Sequence, residues 1–391
     1  MPTPPSSLET CVRRAFGDDE SSAFGTGWMA GTVAVFLGAL SVLGVLAFRY
    51  PELLTTAEFR GRYPVPILRA VLEAAIGLTF LLGAASIMLR RRKVLGLTGL
   101  TLAGVATLAG GSDVPLGTGP GTPLTLGVDW FVLNVLLTAL VFVPLERAFP
   151  LRADQTTFRF GWATDGMHFL VSHLAVQTLS FLTLLPATAL AAVWQPDAVQ
   201  RAVAAVPLWG QFLAIVAVSD LTQYWIHRAF HAVPALWRLH AVHHSAAAMD
   251  WLAGSRLHVL DVLATRGLVL VPIVLLGFAR PALYAYLVFV SFHAVFIHAN
   301  VRVRFGWLDH VLTTPRGHHW HHAVAPIDRN FAVHLPILDR LFGTQHLPGD
   351  AWPDRYGIEP RDVPEGWWRQ LVYPFHRRRL AAARDPGLPP R

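Results

Sequence analysis

Three tight groups of histidines stand out along the chain: His227 with His231; His240, His243 and His244; and His318, His321 and His322. On an α-helix, positions i, i+3 and i+4 share a face, so each group can aim two or three imidazoles at one point. One metal ion usually takes three or four protein ligands, and eight convergent histidines exceed that, which implies two ions. Imidazole suits zinc, copper, iron and nickel, so ligand type alone leaves the metal open. A hydrolytic zinc site keeps one ion, three ligands and a carboxylate base. An all-nitrogen site for two ions beside a lipid-facing bundle fits O2 activation by iron. A lone histidine is more often a packing or capping residue. The same spacing repeated in neighbouring segments sets these groups apart.

The elements that position them are apolar. The chain has 391 residues, of which 53% are hydrophobic and 15% charged, whereas soluble domains are roughly a quarter charged. Its mean hydropathy is +0.43. Apolar runs lie at about 28–48, 66–89, 94–110, 127–145, 168–194, 205–226, 259–279 and 281–299, long enough to span a bilayer. The expected fold is all-α: a polytopic membrane helix bundle of about eight spans with a cytoplasmic histidine-rich helical cap. The third run is short, and the seventh contains Asp261 and Arg266, so a re-entrant pair or shorter hairpin stays open at either place. Arg90, Arg91, Arg92 and Lys93 form the densest cationic cluster beside a span and belong in the cytoplasm. Alternation then puts all three histidine groups on that face. The 49–65 loop, with Arg49, Arg60 and Arg62, is the one violation.

Other classes are excluded by what the chain lacks. The net charge of +7 sits at the ends of apolar runs, where it meets lipid headgroups, and nucleic acid is not an expected partner. One cysteine, Cys11, excludes an internal disulfide, a thiolate zinc site and a four-cysteine iron–sulfur cluster. No dinucleotide fingerprint or haem-attachment motif is present, and the Gly-Thr-Gly-Pro-Gly stretch at 117–121 is a turn-rich connector rather than a nucleotide loop. All eighteen histidines lie from His168 onward. The expected organisation is a flexible N-terminal tail (1–26), an N-terminal transmembrane module (27–160), a catalytic domain (161–345) and a cytoplasmic C-terminal tail (346–391).

The segments DLTQYWIHRAFH (Asp220 to His231), HAVHH (His240 to His244), TPRGHHWHH (Thr314 to His322) and NFAVHLPILDRLFGT (Asn330 to Thr344) resemble the fatty acid hydroxylase and sterol desaturase superfamily of membrane di-iron enzymes. Order and spacing agree over roughly 215–345. The resemblance implies two iron ions, O2 as co-substrate and an external electron donor, and it casts the eight histidines as metal ligands. It implies a further ligand at His298, with His293 the weaker candidate there and His258 divided between an outer ligand and a structural role. His319 points away from the face of its neighbours, towards a supporting or surface role. Asp220 and Tyr224 precede His227 and His231 by one or two turns and are candidates to orient them. His168, His173, His310, His334, His346 and His376 stay unassigned. Leu338 stands before Asp339 where family members often have Trp, and the four N-terminal spans exceed the family's minimal core.

The expected reaction is hydroxylation of a C–H bond in a lipid-like substrate: a sterol, fatty acyl chain, carotenoid or ether lipid. Desaturation at the same di-iron site is the alternative. A histidine-rich metal transporter is the alternative of another class, and the clustering of histidines outside the spans argues against it. Electrons would come from a ferredoxin or a b-type cytochrome with its reductase. Arg377 to Arg379 would anchor the tail to lipid headgroups or steer such an acidic partner.

Overall fold

The structure, a computed structural model, describes residues 26–56, 60, 63–118, 127–156, 158–178 and 180–376, without the side chains of 130, 133, 140 and 173–181. Cys11, the expected N-terminal tail up to residue 25, the side chain of His173 and Arg377 to Arg379 lie outside the described residues.

The described chain is helical, with isolated bridges Pro150–Val301 and Ala323–Tyr356 in place of strands. Among the described residues, four helical segments are long and apolar enough to cross a bilayer: Trp28–Arg49, Val65–Leu89, Val94–Asp113 and Val259–Leu276. Leu182–Val193 and Arg280–Phe296 are apolar but shorter. The helices used below are α1 (Trp28–Arg49), α2 (Val65–Leu89), α3 (Val94–Leu108), α4 (Val128–Ala148), α5 (Trp162–Thr178), α6 (Ser180–Val193), α7 (Leu208–Ala232), α8 (Pro234–His244), α9 (Val259–Leu276), α10 (Arg280–Phe296), α11 (Pro315–His321), α12 (Ile337–Leu341) and α13 (Trp367–Val372).

Helices α1, α2 and α3 pack against one another. Their outer faces carry apolar side chains such as Leu81, Met88 and Leu108, a distribution that suits hydrocarbon surroundings. Between apolar helices in lipid, close backbone approach through small residues drives association. Here a Cβ on Gly96 would lie 2.6 Å from Gly83 O, and one on Gly99 2.7 Å from Ala34 Cβ.

The second half is built on α7, which packs against α8, α9 and α10, while α6 lies along α9. Ile215, Val216, Val269, Ile273, Ala282 and Tyr286 form its core between α7, α9 and α10. Helix α4 joins this half: Phe142 packs with Val295, Ala299 and Val301, and Glu146 accepts the Trp251 and Asn300 N–H groups at 2.7 and 2.9 Å.

Next to that core, two arginines and two aspartates make a buried network. Arg159 donates to Asp165 at 2.6 Å and to both Asp250 oxygens at 2.7 Å. Arg256 donates to the other Asp165 oxygen. Burial opposes the charge on Asp165, but the Arg256 and Arg159 guanidiniums outweigh it and hold the carboxyl below its ordinary range.

Candidate metal centre

Four pieces of chain deliver the histidines. Helix α7 ends in His227 and His231, and the turn at Val233 leads straight into α8, which Pro234 opens at a position where proline costs no hydrogen bond. His240, His243 and His244 fill the last turn of α8. His298 follows the end of α10, and Pro315 opens the short α11 that bears His318 and His321, with His322 as its C-cap.

The rings gather into two groups. Ligand atoms of His227, His231, His240, His244 and His321 lie within 4.8 Å of one another, and so do those of His243, His298, His318 and His322. The i, i+4 pairs 227/231, 240/244 and 318/322 each stay together, whereas His243 and His321 cross to the opposite group. The expectation that each segment aims two or three rings at one point holds, with two rings in each case. Successive helical residues diverge by about 100°, and His243–His244 and His321–His322 straddle both groups for that reason.

The ring tautomers identify what belongs in the middle. His227 Nδ1 stands 2.8 Å from Phe331 O, and His240 Nδ1 2.7 Å from Asp261 Oδ2. A carbonyl or carboxylate can only accept, so both Nδ1 atoms carry the proton and both Nε2 atoms carry a lone pair. Those two Nε2 atoms nonetheless face each other at 3.0 Å. The second group repeats the arrangement: Nδ1 of His243 donates to Arg256 O at 3.1 Å and that of His298 to Ala294 O at 2.7 Å, while their Nε2 atoms face each other at 3.3 Å. Opposed lone pairs repel unless a cation lies between them. Two nitrogens on one metal at 2.0–2.1 Å stand roughly 2.9–3.4 Å apart, so both spacings fit such an ion. Burial, reinforced by neighbouring rings, pushes His240, His243, His244, His318, His321 and His322 well below the ordinary imidazole range. Neutral rings are the form that binds metal.

One loop orients much of the first group. Asp328 Oδ1 accepts from His231 Nδ1 at 3.0 Å, Arg329 O from His321 at 2.7 Å and Phe331 O from His227 at 2.8 Å. The backbone turns sharply to do this, with Asp328 at φ 59° and Asn330 at φ 53°, a region unfavourable to side-chain-bearing residues. Asn330 secures it by donating to Gly317 O and His346 O and accepting from His346 N–H. Five successive N–H groups beyond it are held by two carboxylates: Asp339 takes Phe331 and Ala332, and Asp220 takes Val333, His334 and Leu335.

The remaining expected residues surround the groups without joining them. Asp220 acts on that loop and not on an imidazole. Tyr224 O–H meets Thr344 Oγ1 at 2.9 Å, and Thr344 in turn donates to Asp339. Leu338 packs beside Tyr224, Phe331 and Ala332, so the segment closes around leucine. His258 caps α9 through Leu260 N–H and meets Leu371 O. His293 pairs with His334 at 3.0 Å and with Thr313 O at 2.9 Å. His319 is fully buried rather than superficial, with its Nδ1 2.8 Å from the Tyr356 hydroxyl. Sequence reading missed Asp261 and Asp328 as imidazole partners. For Asp261 the signal existed, since a carboxylate inside an apolar run is seldom idle.

A cavity of about 370 Å³ adjoins both groups. His227, His240, His243, His298 and His318 wall one side, and apolar residues of α9 and α10 such as Val269, Ile273 and Val290 wall the other.

Comparison with known proteins agrees with this geometry. Residues 212–344 match the family model described as fatty acid hydroxylase. The chain is 30% identical to ornithine lipid hydroxylase OlsE of Rhizobium tropici over 259 residues, 64% of this chain and 76% of that protein. It is 34% identical to alkylglycerol monooxygenase of Homo sapiens over 139 residues, 35% of this chain and 30% of that protein. The Danio rerio alkylglycerol monooxygenase is 32% identical over 169 residues, 42% of this chain and 36% of that protein. No solved structure matches the chain. The matched segment coincides with the part that folds around the two histidine groups, and the chain belongs to the fatty acid hydroxylase and sterol desaturase superfamily.

Proposed function

We propose that the protein is a multi-pass membrane di-iron oxygenase that hydroxylates a C–H bond of a lipid, with its histidine groups on the cytoplasmic face. One iron is held by rings from His227, His231, His240, His244 and His321, the other by His243, His298, His318 and His322. The observation that supports this most is the pair of opposed Nε2 lone pairs, one in each group, beside a cavity walled by apolar helices. The relatives named as ornithine lipid hydroxylase and alkylglycerol monooxygenase support a lipid as substrate.

Bound iron supplies the reduction of O2 and the oxidising power that places one oxygen atom in the C–H bond. The chain supplies everything geometric. Asp261, Asp328 and four backbone carbonyls fix the ring tautomers and orientations. The apolar wall of α9 and α10 excludes water and lays the substrate chain against the histidines. Electrons come from outside, through a ferredoxin or a b-type cytochrome with its reductase. The domain reading accompanies this proposal: an N-terminal membrane module at 27–160, the catalytic unit at 161–345 and the C-terminal segment beyond it.

Two measurements test the reading. Purified protein should hold two tightly bound iron ions per chain. Lipid extracts from cells with the active protein should contain a species heavier by one oxygen than in cells without it. Loss of two hydrogens instead would mean desaturation, and readily exchangeable metal without any changed lipid would mean transport.

A further inference from the structure

Arg266 has no part in the metal centre, and its position is costly. It is the eighth residue of the 18-residue apolar helix α9, where a guanidinium persists only by facing a partner or a polar cavity. The carboxylate on its own helix, Asp261, is committed to His240 at 2.7 Å and to Thr265 at 3.2 Å. Among the described residues no ion pair reaches Arg266, and the neutral Tyr286 phenol shares its cavity wall. The side chain is exposed, and with Thr265 and Tyr286 it walls the cavity that His240 and His243 border. Along the helix it stands about 7.5 Å beyond Asp261.

We propose that Arg266 binds the anionic group, carboxylate or phosphate, of a lipid that enters this cavity, and thereby selects anionic amphiphiles over neutral ones. A guanidinium presents two parallel N–H donors that match either oxyanion, and with no carboxylate paired to it among the described residues that fork is left for a ligand. The apolar walls from Val269, Ile273 and Val290 take the hydrocarbon chain. This inference rests on the reading that the cavity holds the lipid to be oxidised.

The test uses the full chain in nanodiscs and two matched pairs of probes: palmitoyl lysophosphatidic acid against monopalmitoylglycerol, and palmitate against palmityl alcohol. Binding is followed by native mass spectrometry, alongside iron content and product analysis. The wild type should bind at least one anionic member roughly tenfold to a hundredfold more tightly than its neutral counterpart. Arg266→Gln should erase that preference while keeping its affinity for the neutral lipid and its two metal ions, and Arg266→Lys should retain part of it. Equal binding of anionic and neutral probes by the wild type would overturn the proposal, as would a preference that survives in Arg266→Gln. Displacement of the lipid by inorganic phosphate at matching concentration would overturn it too, by showing a site for the free ion. An Arg266-dependent preference with no oxidised lipid in any sample would sink the hydroxylase reading and leave the anion site standing.

Discussion

The imidazoles differ in what stands behind their rings. His240 leans on a buried carboxylate, Asp261, whereas His227, His243, His298 and His321 lean on carbonyls. A charged acceptor strengthens the ring as a ligand and fixes its tautomer. Asp261→Asn should therefore lower iron affinity by roughly tenfold to a hundredfold with little change in fold, a loss visible as iron released to a chelator. His243→Ala and His321→Ala each remove one ring from a different group; either should abolish the oxidised lipid and lower bound iron. Persistent product in both variants would refute the ligand sets. All nine rings were legible in the sequence, eight from spacing and His298 from resemblance. Most of their supports were not, because a backbone carbonyl such as Phe331 O has no sequence signature of its own.

At the level of elements, the network of Arg159, Asp165, Asp250 and Arg256 does for α5 and the 250–256 loop what Asp261 does for one ring. Arg256 both neutralises Asp165 and offers its carbonyl to His243. Removing one partner leaves a buried charge uncompensated, so Asp165→Asn should destabilise the protein by about 3–5 kcal/mol, read as a lowered melting temperature in detergent. The acid side follows from the depressed carboxyl. Its stabilisation is complete above the ordinary aspartate range, near the reference value of 3.8, and is lost as pH falls through the lower folded value. Melting scans from pH 6 downward, a window chosen to bracket roughly that range, should thus show a wild-type acid sensitivity that Asp165→Asn lacks. Gly96 belongs to another element pair: Gly96→Leu would drive a side chain into Gly83 O, loosen α2 from α3 and lower the melting temperature while iron content and turnover hold. Helical content was plain from the apolar runs. The division of the α8 and α11 histidine segments between the two groups was not, since it depends on how α8 and α11 face each other.

For the molecule as a whole, the apolar runs predict about eight crossings, and among the described residues four helical segments meet the demands of length and hydropathy. Two of the other runs give part of their chain to the site. Helix α7 spends its last turns on His227 and His231, and α10 stops at Phe296 so that the turn after it can deliver His298. The seventh run, flagged in the sequence for its charges, is long and apolar enough to cross as α9; Asp261 is committed to a ring, and Arg266 borders the cavity. The paired neighbours His243–His244 and His321–His322 have one more effect. Each pair is joined by a single peptide link at the end of a short helix, so the two proposed metal positions are tied to the same two turns. Filling either position clamps the same two turns that complete its twin. Iron uptake should accordingly be sigmoidal, with singly loaded protein scarce at every stage of a ferrous titration.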